Sequence, residues 1–335
     1  MSVAAFLSEL RRREIEVRAE GNELRCSVRA GTLTAETREE LRRRKSEILH
    51  FLRTATLAAS QQPAIVPLQA SGYRLPVFAV PGHNGDVFCY RALARCLGET
   101  QPFYGLQPPG LLGEGAPLTR VEELAAYFAA QVRAVHSQGP CIVAGFCAGG
   151  AVAFELAQLL SRDGVEVAFV ALFGSPFPAF FRPWMQRRYR IEQRVRSLGK
   201  HARALAGTSW PQRFEYLAAK MKMRKRHDAP APGDAVTERK RNVEEATLAA
   251  VRAYTPRPFA GTLCLFQPCR RWVNQGFLAG RWKPLAGQAE ECFGPDGATG
   301  DDMLLPRHAA FFAELFNQAY ASLVETHDRS ARRAA

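Results

Sequence analysis

The chain has 335 residues, 47% of them hydrophobic, with eight cysteines and a net charge of +13. That is enough for one large domain plus a small one, each with its own core, and it excludes a wholly disordered chain. No apolar run reaches the ~18 residues of a membrane span, the charged start from Met1 to Arg13 lacks the apolar stretch of a secretory signal, and the cysteines form no CxxC pair or His/Cys cluster, which excludes a disulfide framework or zinc site and points to reduced thiols in a cytoplasm.

In chain order, residues 1 to 55 read as a small α+β unit. Ala4 to Arg13 has helical character. Two alternating runs, Ile15 to Ala19 and Leu24 to Val28, flank Gly21-Asn22 and signal a β-hairpin. Thr34 suits a helix cap, and Leu41, Ile48, Leu49 and Leu52 recur at helical spacing. This order, and the phrase GNELRCSVRAGTLTAETREELRRRKSEILHFL, resembles the TubC-type N-terminal docking domain of nonribosomal peptide and hybrid polyketide synthases. The resemblance implies that the hairpin edge captures the C-terminal tail of an upstream synthase subunit by strand addition. It also leaves room for a homodimer through this unit. Residues 56–72, rich in Ala, Gln, Pro and Ser, read as a linker.

From Tyr73 to about residue 326, short buried strands alternate with helices. Strands are expected at Leu75–Val80, Pro102–Leu106, Cys141–Ala144, Val165–Phe173, Thr262–Phe266 and about Ala289–Phe293. Helices are expected at Val87–Leu97, Val121–His136, Ala148–Ser161 and Arg307 to about Val324. This pattern argues an α/β fold, a mostly parallel sheet covered by helices on both faces. Residues 177–256 interrupt it and read as a helical lid; residues 327–335 read as a disordered tail. Between Arg182 and Arg241 lie seventeen basic residues against five acidic ones, most of the net charge. Such a surface suits an acidic partner, nucleic acid or an acidic carrier protein, or is simply a solvated helical face. No recognition-helix, zinc or RNA-binding motif supports nucleic acid.

The chemistry concentrates at Gly145-Phe146-Cys147-Ala148-Gly149-Gly150, between a strand and a helix. In α/β-hydrolases the corresponding turn is G-x-S-x-G, a strained nucleophile elbow whose flanks must be small. Cys147 is the expected nucleophile, and the Ala148 N–H one oxyanion donor. The loop Pro81 to Asp86 is placed to supply a second donor, the N–H of His83 or of Asn84. Taken with PGHNGDVFCYRALA and GLQPPGL, the motif resembles the thioesterase domain of nonribosomal peptide and polyketide synthases. The resemblance implies acyl transfer or chain release, with no cofactor of its own and a substrate carried on the phosphopantetheine arm of an acidic carrier protein that the basic lid would meet. The lid aromatics Trp184, Tyr189, Trp210, Phe214 and Tyr216 would shape an acyl pocket or form the core of the lid.

The family triad is not intact. Gly174 stands where the acid is expected, and Gly261 to Gln288 holds no Asp or Glu. The loop that normally carries the His runs Gly297 to Leu304 without one, so Thr299, Gly300 or Asp302 occupies its position. Substitute base or acid candidates are His83, His308, Asp301 and Asp302. A thiol needs less activation than a hydroxyl, and the helix starting at Ala148 is expected to lower the Cys147 pKa. Such a site favours transfer to an amine or thiol acceptor over hydrolysis; a degenerate site kept for docking and acyl binding is the alternative.

Overall fold

Short apolar strands separated by amphipathic helices bury their surface best as a parallel sheet with a helix layer on each side. The computed structural model describes residues 15–20, 22–27, 34–60, 64–112, 115–137, 139–192 and 235–325, together with Val3, Phe6, Leu7 and Leu10. In the small unit, β1 (Glu16–Glu20) and β2 (Glu23–Ser27) pair antiparallel with Glu20 opposite Glu23, the predicted two-residue hairpin. Helix α1 (Ala35–Arg43) begins at Thr34, whose hydroxyl accepts from the Thr37 N–H. Helix α2 (Lys45–Ser60) follows directly. Phe6, Leu7 and Leu10 meet Ile15, Val17, Leu41 and Ile48 in a separate core.

The large sheet contains β3 (Ile65–Gln69), β4 (Val77–Val80), β5 (Phe103–Leu106), β6 (Cys141–Phe146), β7 (Val167–Phe173), β8 (Phe259–Gln267) and β9 (Ala286–Phe293). Their spatial order is β3-β5-β4-β6-β7-β8-β9, all parallel except β3. The stretch 56–72 is therefore not a linker along its length: α2 runs to Ser60, and Ile65–Gln69 is the antiparallel edge strand. The missing N–H of Pro67 is tolerated at an edge, and the register shifts between Pro67 and Gln69.

Helices α3 (Arg91–Leu97), α4 (Val121–Val135), α5 (Gly149–Arg162), α6 (Ala235–Ala253) and α7 (Pro306–Tyr320) complete the domain. Period-2 alternation sorts the strand residues between two layers. Val143, Val170, Leu172 and Leu265 pack under Phe128, Val132, Phe154 and Leu156 of α4 and α5. On the opposite face Ile142, Ala144, Phe169 and Phe266 meet Leu93, Phe312 and Phe316 of α3 and α7. Among the described residues no helix is long and apolar enough to cross a membrane.

Of the lid, the turn Pro178–Phe181, the helical segment 183–192 and α6 are described. Trp210, Phe214 and Tyr216, most of the basic residues and the tail 327–335 lie outside the described residues. Tyr189 packs on Phe180 and Phe277, whereas Trp184 is exposed. The end of α6 is tied to α5 through Glu155, which is buried: Tyr254 Oη donates to Glu155 Oε2 at 2.7 Å and Arg257 Nη2 to Oε1 at 2.9 Å. Tyr254→Phe leaves one buried carboxylate oxygen without its donor. It is expected to lower stability by about 2 kcal/mol, read as a shift of the urea midpoint with an unchanged slope.

Candidate active site

The chain runs outward from β4 to β5 and then crosses back to β6 on the other side of β4. The loops after β4 and β6 therefore leave the same sheet edge where the direction of winding reverses, the place where open α/β sheets bind ligands. The loop after β6 carries Cys147; the loop after β4 carries His83.

Cys147 has φ +51°, one of two non-glycine residues with positive φ among the described residues. A β-carbon at such a φ costs energy and persists because its surroundings fix it. The Cys147 N–H donates to the Phe173 carbonyl at 3.1 Å, and the Gly150 N–H to the Cys147 carbonyl at 3.2 Å. The flanking glycines are a steric requirement. A β-carbon at Gly149 would lie 1.9 Å from the Pro81 carbonyl oxygen, and one at Gly145 2.7 Å from Ala153 Cβ. The turn is the predicted elbow, and Cys147 is half-buried at its tip, packed against the apolar core yet partly open.

Burial pushes the Cys147 thiol up to about 11; the Ala148 N–H, directed at the sulfur, pulls the other way, and the Asp301 carboxylate adds to the rise. This corrects the expectation of a lowered pKa. Removing water from the sulfur outweighs what the helix terminus returns. The resting group is a neutral thiol and must give up a proton to react.

His83 Nδ1 lies 3.9 Å from Cys147 Sγ, and its Nε2 lies 3.5 Å from Glu244 Oε1 on α6. The loop is held by a Gly82–Gly85 turn with a 3.0 Å backbone hydrogen bond, and Asp86 caps the following turn through the Phe88 N–H at 2.9 Å. Among the described residues neither the His83 nor the Ala148 N–H donates to a backbone carbonyl, which leaves both available to an oxyanion. Glu244 was not singled out from the sequence. It stands among the ordinary charges of an amphipathic helix, and only the packing of α6 over the loop reveals it.

The other candidates fall elsewhere. Asp302 is buried; burial alone would raise its pKa, but hydrogen bonds from Thr299 and the charges of Arg307 and His308 hold it below the usual carboxylate value. The Thr299 N–H donates to it at 2.8 Å, Arg307 pairs with it, and His308 Nε2 lies 3.7 Å away. These three contacts of Asp302 and His308 close the entry to α7, and neither residue meets Cys147 in a described contact. Asp301 is exposed and reaches the sulfur through its charge alone.

The vacant acid position faces the loop where the resemblance places the histidine. A β-carbon at Gly174, where φ is +48°, would lie 2.7 Å from Met303 Sδ and 3.6 Å from Gly300 Cα. One at Gly300 would lie 3.4 Å from Trp272 Nε1. Gly300, one of the three residues left open for the His position, lies beside the vacant acid position. Met303 thus stands against the position of the missing acid, and Trp272 lies in ordinary contact range of Gly300. Ser175, next to Gly174, donates instead toward the Gly145 and Phe173 carbonyls.

A parallel sheet with a strained nucleophile elbow after its central strand defines an α/β-hydrolase. A family model described as thioesterase domain matches residues 75–255, and one described as TubC N-terminal docking domain matches residues 3–54. The chain belongs to the thioesterase domain family. Atromentin synthetase invA1 of Paxillus involutus is 35% identical over 125 residues, 37% of this chain and 13% of that protein. Polyketide synthase PksR of Bacillus subtilis is 32% identical over 115 residues, 34% of this chain and 4% of that protein. The chain therefore spans a small part of the curated relatives it matches. Among solved structures, the Vlm2 thioesterase domain bound with a dodecadepsipeptide superposes with a TM-score of 0.55 at 21% identity, covering 77% of this chain and 98% of that one. The NocB thioesterase domain superposes with a TM-score of 0.54 at 18% identity, covering 77% and 99%. These likenesses establish the fold.

Proposed function

We propose that the protein handles acyl chains in nonribosomal peptide or polyketide biosynthesis, in the cytoplasm, with Cys147 as the nucleophile. The supporting observation is the sulfur at the tip of a strained elbow, with the Ala148 amide aimed at it. The sulfur loses its proton and attacks the carbonyl carbon of a carrier-bound thioester. The carbonyl oxygen takes the negative charge and receives the N–H groups of Ala148 and His83. The carbon–sulfur bond to the phosphopantetheine arm breaks, the departing thiolate is protonated, and the chain remains on Cys147. An amine, hydroxyl or water acceptor then releases it. Exchange of one thioester for another is nearly balanced, which suits a site without the family triad.

Residues 1–55 recruit the protein to the C-terminal tail of an upstream subunit through the hairpin, and the basic lid meets the acidic carrier. The protein needs no cofactor of its own. The missing triad residues support a second reading, a degenerate thioesterase that docks and holds acyl chains.

Intact mass after incubation with an acyl-loaded carrier protein separates the two. The first reading expects an acyl adduct on wild type that Cys147→Ala lacks. Absence of the adduct on wild type would leave only the second.

A further inference from the structure

We propose that His83 is the base that takes the Cys147 proton, and that Glu244 on α6 is the positioning residue that aims it. This rests on Cys147 being the nucleophile. A carboxylate offers no proton, so Glu244 Oε1, 3.5 Å from His83 Nε2, favours the tautomer that carries its hydrogen on Nε2. That leaves the Nδ1 lone pair facing Sγ at 3.9 Å. The proton passes from sulfur to Nδ1, and the resulting imidazolium is held between the thiolate and Glu244, 3.5 Å from its other nitrogen. Catalytic hydrogen bonds of this length shorten in complexes with substrate. The order nucleophile, imidazole, carboxylate is that of a hydrolase triad, with the two ring nitrogens exchanged and both partners drawn from other elements.

The placement is built rather than incidental. Val243 is fully buried, and a β-carbon on Gly85 would lie 3.1 Å from its Cγ1 and 2.9 Å from Pro108 Cγ. The helix is thus seated on the loop that carries His83, one residue away from Glu244. Where the family draws its acid and its histidine from loops at β7 and before α7, the first position is Gly174 and the second loop, Gly297 to Leu304, holds no histidine. The new pair approaches from the opposite side of the elbow.

The titratable groups around the pair are Cys147 itself, Glu244 on α6, Asp301 before α7, Asp86 in the same loop and Cys89 beyond it. Asp86 is spent on the Phe88 N–H, and burial pushes the Cys89 thiol up to about 12.

The test is the rate of iodoacetamide alkylation, read by peptide mass at Cys147, as a function of pH. Only the thiolate reacts. With the relay, wild type shows a plateau in the neutral range, carried by the thiolate–imidazolium pair, before the rate climbs toward pH 11. His83→Gln is expected to lose the plateau, slowing neutral-pH alkylation about tenfold or more, and to keep the alkaline climb. Glu244→Gln removes the charge that stabilises the imidazolium. Its plateau falls several-fold. Both side chains are about two-fifths exposed, so neither substitution should alter the melting temperature. Profiles that superimpose for all three proteins overturn the proposal. Separated profiles without an acyl adduct from a loaded carrier would keep the relay and remove the carrier reading; an adduct with superimposed profiles would do the reverse.

Discussion

Cys147→Ser is expected to lower acyl transfer by roughly 10³-fold or more, although it restores the residue that G-x-S-x-G elbows carry. Substituting one chalcogen for the other leaves the elbow and its amides in place, so the change isolates the proposed nucleophile. A serine hydroxyl is nearly inert without a strong, close base, whereas a thiol is the least demanding nucleophile among side chains. The family's acid position is glycine at Gly174, where φ is +48° and Met303 Sδ would lie 2.7 Å from a β-carbon, and its histidine loop holds no histidine. The remaining imidazole, 3.9 Å from sulfur, suits the longer reach of sulfur better than that of oxygen. A loss of 10³ corresponds to about 4 kcal/mol of transition-state stabilisation. Single-turnover transfer from a loaded carrier, with melting temperature as the control for folding, measures it. A serine variant that works at near wild-type rate would mean that a conventional base is at hand and that cysteine is incidental.

The parts of this site that the sequence made legible are those with local steric causes. Gly145, Gly149 and Gly150 around Cys147 announce the elbow because the strand, the turn and the helix each impose their demand within a few residues. The sheet is legible for a similar reason: runs such as Cys141 to Ala144 are too short and apolar to be anything but buried strands in that rhythm. The absence of an acid at Gly174 could also be read directly. Three features could not. Pro67 and its Ala- and Gln-rich flanks look like linker, and only the antiparallel partner Leu106 to Tyr104 shows why a strand forms there. The Cys147 thiol was expected to be acidic from the helix terminus alone, because a sequence does not display the burial that reverses the sign. Glu244 meets His83 only through the return of α6 over the loop, a contact between residues far apart in the chain with no spacing rule to announce it.

The two ends of this comparison have one physical origin. The elbow is fixed by backbone packing, which tolerates no drift in residue type. The proton relay needs only a base within reach and something to hold it, and several surrounding elements can supply these. A chain can therefore keep Gly145-x-Cys147-x-Gly149 without an acid after β7 or a histidine in the loop before α7, provided another imidazole reaches the sulfur. On this view the cysteine and the vacant positions belong together, since the weaker relay is sufficient for a thiol and insufficient for a hydroxyl.

The backbone packing itself can be challenged at Gly149. Gly149→Ala is expected to cost about 3 kcal/mol or more, a fall in melting temperature of about 6–12 °C, even though alanine is intrinsically the better helix former by about 1 kcal/mol. Its β-carbon would stand 1.9 Å from the Pro81 carbonyl oxygen and 3.0 Å from that of Val80, both backbone atoms with no rotamer to change. Nor can β4 easily retreat, because the buried Tyr90 hydroxyl donates to the Val80 carbonyl at 2.8 Å and β5 and β6 flank it in register. Whatever strain is relieved must be relieved by moving the loop from Pro81 onward, which takes His83 away from the sulfur. The variant should therefore lose neutral-pH alkylation of Cys147 together with its stability. Gly280→Ala makes the same chemical change where a β-carbon meets nothing within 4 Å; it should stay within about 0.5 kcal/mol of wild type and keep the alkylation profile. Thermal melting and alkylation of the two variants side by side decide the matter: if Gly149→Ala melts with Gly280→Ala, the elbow is not pressed against β4 as described, and the approach of His83 to Cys147 loses its support.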